Sequence, residues 1–186
     1  MSVIIAVKKD DIIYLGADTQ CTSPTRKFHV KTGPNSKLIV LENGVIIGLA
    51  GMCVPGQILA SHPEWFNFKS EDEFTKEYLT TFVIPKIKEA FKNYNYDEND
   101  FEFTIAYKSK AFEINRRFVV FCIEHKNVIG CGGDVIIYKL SKINIDGDIN
   151  EQLLDALRFS EKNDSAVGAP FILVNTKDLK IEIREE

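Results

Sequence analysis

Residues 1–19, MSVIIAVKKDDIIYLGADT, decide how this chain is read. Val3, Ile5 and Val7 alternate with Ile4, Ala6 and Lys8, and a second apolar stretch, Ile12 to Leu15, follows the charged break at Lys9-Asp10-Asp11. The pattern predicts two strands joined by a tight turn, with apolar layers over both faces. A two-residue loop there puts Ser2 opposite a residue between Ala17 and Thr19. Asp18 then lies within about one position of Ser2, roughly 5–8 Å between Cβ atoms. Ser2 follows the initiator Met, and its small side chain is of the kind that permits Met removal. With Met1 gone, one residue carries both a hydroxyl and a free α-amine, a weak oxygen nucleophile paired with its own base.

Working outward, residues 37–50, KLIVLENGVIIGLA, predict a second hairpin turning at Asn43-Gly44. With those two residues as the loop, Lys37 lies opposite Ala50 and beside the peptide of Gly51, where a glycine lets backbone approach a substrate closely. A short helix is expected over 55–66. A longer one is expected after a capping box at Ser70–Glu73, with Phe74, Tyr78, Phe82, Ile87 and Phe91 on one face and Pro85 kinking or splitting it. Strands are expected at 101–108, 111–115, 117–123 and 127–130. A helical stretch should follow Gly132-Gly133, another the capping box at Asp148 and Glu151, and two strands, 171–175 and 179–184, close the chain. Strands and helices in alternating blocks suggest an α/β (α+β) layered sandwich with mainly antiparallel sheets.

The 186 residues read as one domain, 1–186, with 45% hydrophobic and 27% charged residues, an ordinary globular composition. A net charge of -4 gives no electrostatic argument for nucleic acid or an anionic membrane. No apolar run reaches the ~20 residues of a membrane helix, and the N-terminus does not read as a secretion signal. Four cysteines, Cys21, Cys53, Cys122 and Cys131, have no CxxC spacing, which argues against zinc and fits free thiols in a reducing cytoplasm. The histidines, His29, His62 and His125, are far apart, and each reads as structural or surface. Asp146-Gly147-Asp148 lacks the rest of a calcium-loop pattern and reads as a turn before a helix cap. No metal or other cofactor is expected.

Five segments in order resemble the β-type subunits of the proteasome, including the bacterial HslV peptidase, within the N-terminal nucleophile (Ntn) hydrolases. Ser2 through Gly16-Ala17-Asp18 has the family's spacing from nucleophile to Asp. Ser36-Lys37-Leu38 looks like the family lysine, and Gly48-Leu49-Ala50-Gly51 like its glycine segment. Ile129-Gly130-Cys131-Gly132-Gly133 looks like the family Gly-Ser-Gly-Gly, and Asn163-Asp164-Ser165-Ala166-Val167-Gly168 like Arg-Asp-x-x-Ser-Gly.

The resemblance implies a four-layer αββα sandwich and amide hydrolysis through an acyl-enzyme. Ser2 stands where the family usually has Thr. The α-amine would be its base, Asp18 would orient Lys37, and the Gly51 N–H would hold the oxyanion, with Cys131 and Asp164 in the surrounding shell. Thr22 matches the residue that pairs with an extended substrate, and Cys21, Leu49 and Cys53 match the walls of a small apolar pocket. Implied partners are a peptide or unfolded protein substrate, further copies in a homo-oligomeric ring and an ATP-dependent unfoldase. Cys131 and Val167 replace family serines. A non-catalytic proteasome-like subunit and a small-molecule amidase of the same superfamily are the alternative readings.

Overall fold

β1 (Ile4–Lys9) pairs antiparallel with β2 (Ile12–Asp18); Ile4 faces Ala17 and Lys9 faces Ile12, which leaves Asp10-Asp11 as the two-residue loop. Asp10 takes φ +52°, a left-handed conformation that Asp tolerates better than most residues. The computed structural model describes residues 2–23, 25–96 and 100–185. Met1, whose removal the sequence reading invokes, lies outside them.

After this hairpin come β3 (Gln20–Ser23), β4 (Arg26–His29), β5 (Leu38–Val40) and β6 (Ile46–Gly51), then the helices α1 (Cys53–Ala60), α2 (Lys76–Tyr78) and α3 (Ile84–Asn93). The chain returns through β7 (Phe101–Tyr107), β8 (Lys110–Ile114), β9 (Val120–Cys122) and β10 (Lys126–Ile129). It ends with α4 (Gly133–Lys142), α5 (Ile149–Asn163), β11 (Phe171–Asn175) and β12 (Glu182–Arg184). Among the described residues these strands form two five-stranded sheets, ordered β10-β1-β2-β11-β12 and β5-β6-β7-β8-β9, and a separate β3-β4 ribbon. Every pairing is antiparallel.

The period-two alternation of β1 sorts its side chains between two cores. Val3, Ile5 and Val7 pack with Ile136 of α4 and with Leu153, Leu154 and Leu157 of α5. Ile4 and Ala6 point the other way, into a core shared with Leu38, Ile46, Ala50 and Ala106 of the second sheet. The far face of that sheet, with Ile47, Leu49, Phe103 and Ile105, packs on Ile58, Leu59, Ile87 and Phe91 of α1 and α3. The layers therefore run helices, sheet, sheet, helices, as expected. Each fully buried Ile, Leu or Phe in these cores contributes ~1.5–3 kcal/mol. Small residues between the sheets, Ala6, Ala17, Ala50, Ala106 and Ala111, let the sheets close on one another.

Several local expectations need correction. Leu38 faces Gly48 and the Leu49 N–H donates to the Lys37 carbonyl, so Lys37 lies opposite Leu49, not Ala50. The loop is the three residues Glu42-Asn43-Gly44, with Gly44 at φ +85°. The 55–66 segment is α1 followed by a 3-10 turn, Pro63–Phe66, with Pro63 unable to continue the helix. Ser70 makes no side-chain cap; residues 71–73 form a 3-10 turn, and Thr75 instead caps α2 by accepting from the Tyr78 N–H at 3.1 Å. The irregularity expected at Pro85 precedes it, as a π-helical turn over Leu79–Val83 that runs straight into α3; Pro85, the second residue of α3, therefore sits inside a continuous helical run, with the wider turn just ahead of it. The strands expected at 117–123 and 179–184 shorten to β9 and β12. Asp148 caps α5 as expected, accepting from the Glu151 N–H at 3.2 Å.

Candidate active site

β2 delivers Asp18 at its end, and the residue before β5 delivers Lys37. The Lys37 Nζ donates to both Asp18 carboxylate oxygens at 2.7 Å. The pair is buried, with Asp18 0% and Lys37 5% exposed. Two isolated charges would be costly here, and the Asp18 carboxylate is compensated further: it accepts from the Val3 N–H at 3.0 Å and the Gln20 N–H at 3.2 Å. Burial pushes the Asp18 carboxyl above its ordinary range, while Lys37 and the Val3 and Gly168 amides pull it back.

Ser2 is seated by its own backbone. Its following amide, Val3, is tied to Asp18, and its carbonyl accepts from the Gly132 N–H at 3.1 Å. Gly130, just before, has φ +88°, and a Cβ there would run into the Ser2 carbonyl. The Cys131 Sγ lies 3.8 Å from the Ser2 carbonyl oxygen and 3.7 Å from Asp164 Oδ2. Val167 packs in the α5 core, and the Ser160 hydroxyl donates to the Gly132 carbonyl at 3.1 Å.

Gly51 ends β6 at φ +105°, where a Cβ would strike the Asp100 carbonyl. The Met52 N–H donates to Asp100 O at 2.9 Å, so the Gly51–Phe101 pair falls between ladder bonds. That parity turns the Gly51 N–H away from β7, toward the edge where β5 has already ended.

Two cavities meet at Ser2. One, about 230 Å³, is lined by Cys21, Thr22, Lys37, Leu49, Gly51 and Cys53, among others. The other, about 160 Å³, is lined by Gly51, Glu102, Arg116, Gly130 and Cys131. The structure thus gathers Ser2, Asp18, Lys37 and Gly51 with Cys21, Thr22, Leu49 and Cys53 on one flank, and Cys131 with Asp164 on the other. The Cys53 thiol is pushed down to about 6, chiefly by its interaction with the neighbouring Cys21 thiol; burial opposes the shift and the Lys37 charge helps it. Cys21 is pushed up, first by that interaction and then by burial. Among the described residues, no group of three or more His, Cys, Asp or Glu could hold a metal ion, and no helix is long and apolar enough to cross a membrane.

Sequence reasoning missed Gln20, Glu102 and Ser160. Gln20 is buried, donating its N–H to Asp18 and its side-chain amide to Ser165 O at 3.0 Å. Glu102 accepts from the Gly130 N–H at 2.9 Å and fixes that turn. The signal for Ser160 was present: it is a small polar residue three positions beyond Leu157 on the apolar face of α5.

No protein-family model matches the sequence, and no curated protein is significantly similar to it. Solved structures do match. BPH of Thiobacillus denitrificans, in complex with epoxomicin, superposes with a TM-score of 0.75 at 16% identity over 96% of this chain and 99% of that one. Eukaryotic HslV from Trypanosoma brucei gives 0.67 at 19% identity over 93% and 98%. Anbu, an ancestral β-subunit from Yersinia bercovieri, gives 0.72 at 12% identity over 99% and 87%. At such identities the likeness is one of fold, and it covers nearly the whole of each chain: this protein has the proteasome-like Ntn-hydrolase fold that HslV, Anbu and BPH share.

Proposed function

We propose that the protein is a proteasome-like peptidase, cleaving peptide bonds through an N-terminal serine nucleophile. One observation carries the reading: Ser2, Gly51 and Lys37 line one cavity, and the buried Asp18 holds Lys37 there through two hydrogen bonds. With Met1 removed, the Ser2 Oγ attacks the scissile carbonyl carbon and its proton passes to the α-amine. The Lys37 ammonium lowers that amine from its ordinary pKa of about 7.7–8.0, keeping it neutral enough to act as a base. The oxyanion accepts from the Gly51 N–H, an interaction whose loss typically costs about 10²–10³ in rate. The tetrahedral intermediate collapses, the C–N bond breaks, and the leaving amine takes the proton back. Water, deprotonated by the same amine, then attacks the Ser2 ester and frees the enzyme. The 230 Å³ cavity, walled by Cys21, Leu49 and Cys53, would take a small uncharged side chain, with Thr22 pairing to the substrate backbone. The protein would work in the cytoplasm, as a homo-oligomeric ring fed by an ATP-dependent unfoldase. Residues 1–186 would act as one domain.

A second reading keeps the fold without the chemistry, as a non-catalytic subunit. Val167 favours it, since it brings no hydroxyl to the shell around Ser2 and packs as a core residue. Intact mass with a peptide-epoxyketone probe, which needs both the hydroxyl and the free amine, separates the two. The peptidase loses Met1 and gains the adduct, and Ser2→Ala gains none. A Met-free wild type that never takes the probe would favour the second reading.

A further inference from the structure

The chemistry proposed for Ser2 leaves two thiols of its cavity unused. Cys21 is buried in β3, and Cys53 is half-buried at the first residue of α1. They reach the same cavity from two separate elements, their side chains interact, and both are free thiols. Leu49, Met52, Val54 and Phe28 add apolar surface to that cavity, beside the polar Gln20, Thr22 and Asn35.

We propose that Cys21 and Cys53 form a redox pair, which hydrogen peroxide closes into a disulfide across the pocket beside Ser2 and a dithiol reopens. The chemistry needs one peroxide. The Cys53 thiolate attacks a peroxide oxygen, the O–O bond breaks, and the departing hydroxide takes a proton to become water, leaving a sulfenic acid. The Cys21 sulfur then attacks the Cys53 sulfur. The S–O bond breaks as the S–S bond forms, and the Cys21 proton leaves with the hydroxide as a second water. Two thiols have lost two electrons and two protons to one peroxide.

The two positions suit unequal roles. Cys53 sits at the N-terminus of an eight-residue helix and within the field of the Lys37 ammonium, both of which favour a thiolate. Its thiol is pushed down, to about 6, in the direction of the thiolate. Cys21, more deeply placed and held protonated, resolves the sulfenic acid. The bond would draw β3 and the start of α1 together across the space a substrate side chain needs. This last step rests on the reading of that cavity as the substrate pocket.

The test oxidises the reduced full-length chain with hydrogen peroxide, digests it without reductant and maps the peptides by mass. The expected product is a peptide pair joined through Cys21 and Cys53, lighter by two hydrogens and separated again by dithiothreitol. In parallel, oxidation should slow epoxyketone labelling at least about tenfold, and dithiothreitol should restore it. Cys53→Ser, compared only with itself before and after peroxide, should show no such change. Cys53 recovered as sulfinic or sulfonic acid with no joined peptide would overturn the proposal, as would a joined peptide with unchanged labelling. A chain that forms the bond yet takes no probe in either state would uphold the thiol pair and count against Ser2 as nucleophile.

Discussion

The two flanks of Ser2 are built to different standards. On the Asp18–Lys37 flank, a buried ion pair is closed by two 2.7 Å bonds and two further amides, each short and directional. On the Cys131–Asp164 flank, a thiol reaches both neighbours at 3.7–3.8 Å, and Val167 supplies packing alone. The first arrangement is expensive to keep in a protein that does not use it, because a buried charge pair stabilises a fold little compared with an apolar replacement. The second is what remains when a hydrogen-bonded shell is relaxed but not abandoned. Under the peptidase reading, the chain holds the charge that tunes the amine and lets the amine's orientation loosen.

That contrast can be broken most directly at its centre. Ser2→Ala should abolish probe labelling and lower peptide hydrolysis by about 10³-fold or more, as loss of a nucleophile does; residual turnover near wild type would remove Ser2 from the chemistry. Next in size, Lys37→Met leaves the Asp18 carboxylate buried beside no ammonium. A loss of about 3–5 kcal/mol in urea unfolding is expected. Without Lys37 the carboxyl is raised further, so the folded state binds its proton more readily than the unfolded state does. Part of the lost stability should therefore return as pH falls and Asp18 protonates, and disappear again as pH rises.

A third measurement compares thiols rather than flanks. Alkylation of Cys53 by iodoacetamide, followed by peptide mass, should rise with pH to a half-maximum near its pKa of about 6, while Cys21 stays unreactive across the neutral range. Parallel profiles for both would mean they do not share a proton. The smallest effect belongs to the relaxed flank. Cys131→Ser puts a shorter, stronger donor beside the Ser2 carbonyl and should speed labelling by about fivefold or less, worth ~1 kcal/mol. No change would show that this flank plays no part in holding Ser2.

Local rules reached the first hairpin and Asp18 because a two-residue loop confines the register to a few neighbouring choices, and each of them leaves Asp18 within one position of Ser2. They failed by one position at the second hairpin, where Asn43-Gly44 reads as a complete loop but Glu42 joins it and Gly44 takes the left-handed position. A one-residue slip moves every side chain to the other face, so Lys37 keeps company with Leu49 rather than Ala50. Thr75 replaces Ser70 as the cap because residues 71–73 are spent on a 3-10 turn. The seat of Ser2 was out of reach in a different way. It depends on β10 lying beside β1, and that sheet order places Gly130 and Gly132 against a residue far earlier in the chain.

The same seat sets a clock. A chain emerging from the ribosome presents Ser2, Asp18 and Lys37 early, but the glycines that hold the Ser2 carbonyl, and Ser160 behind them, are made long after. Contacts so distant in sequence form only when most of the fold does. Under the peptidase reading, the nascent chain would carry Ser2 unseated through synthesis, and only the finished fold would arm it.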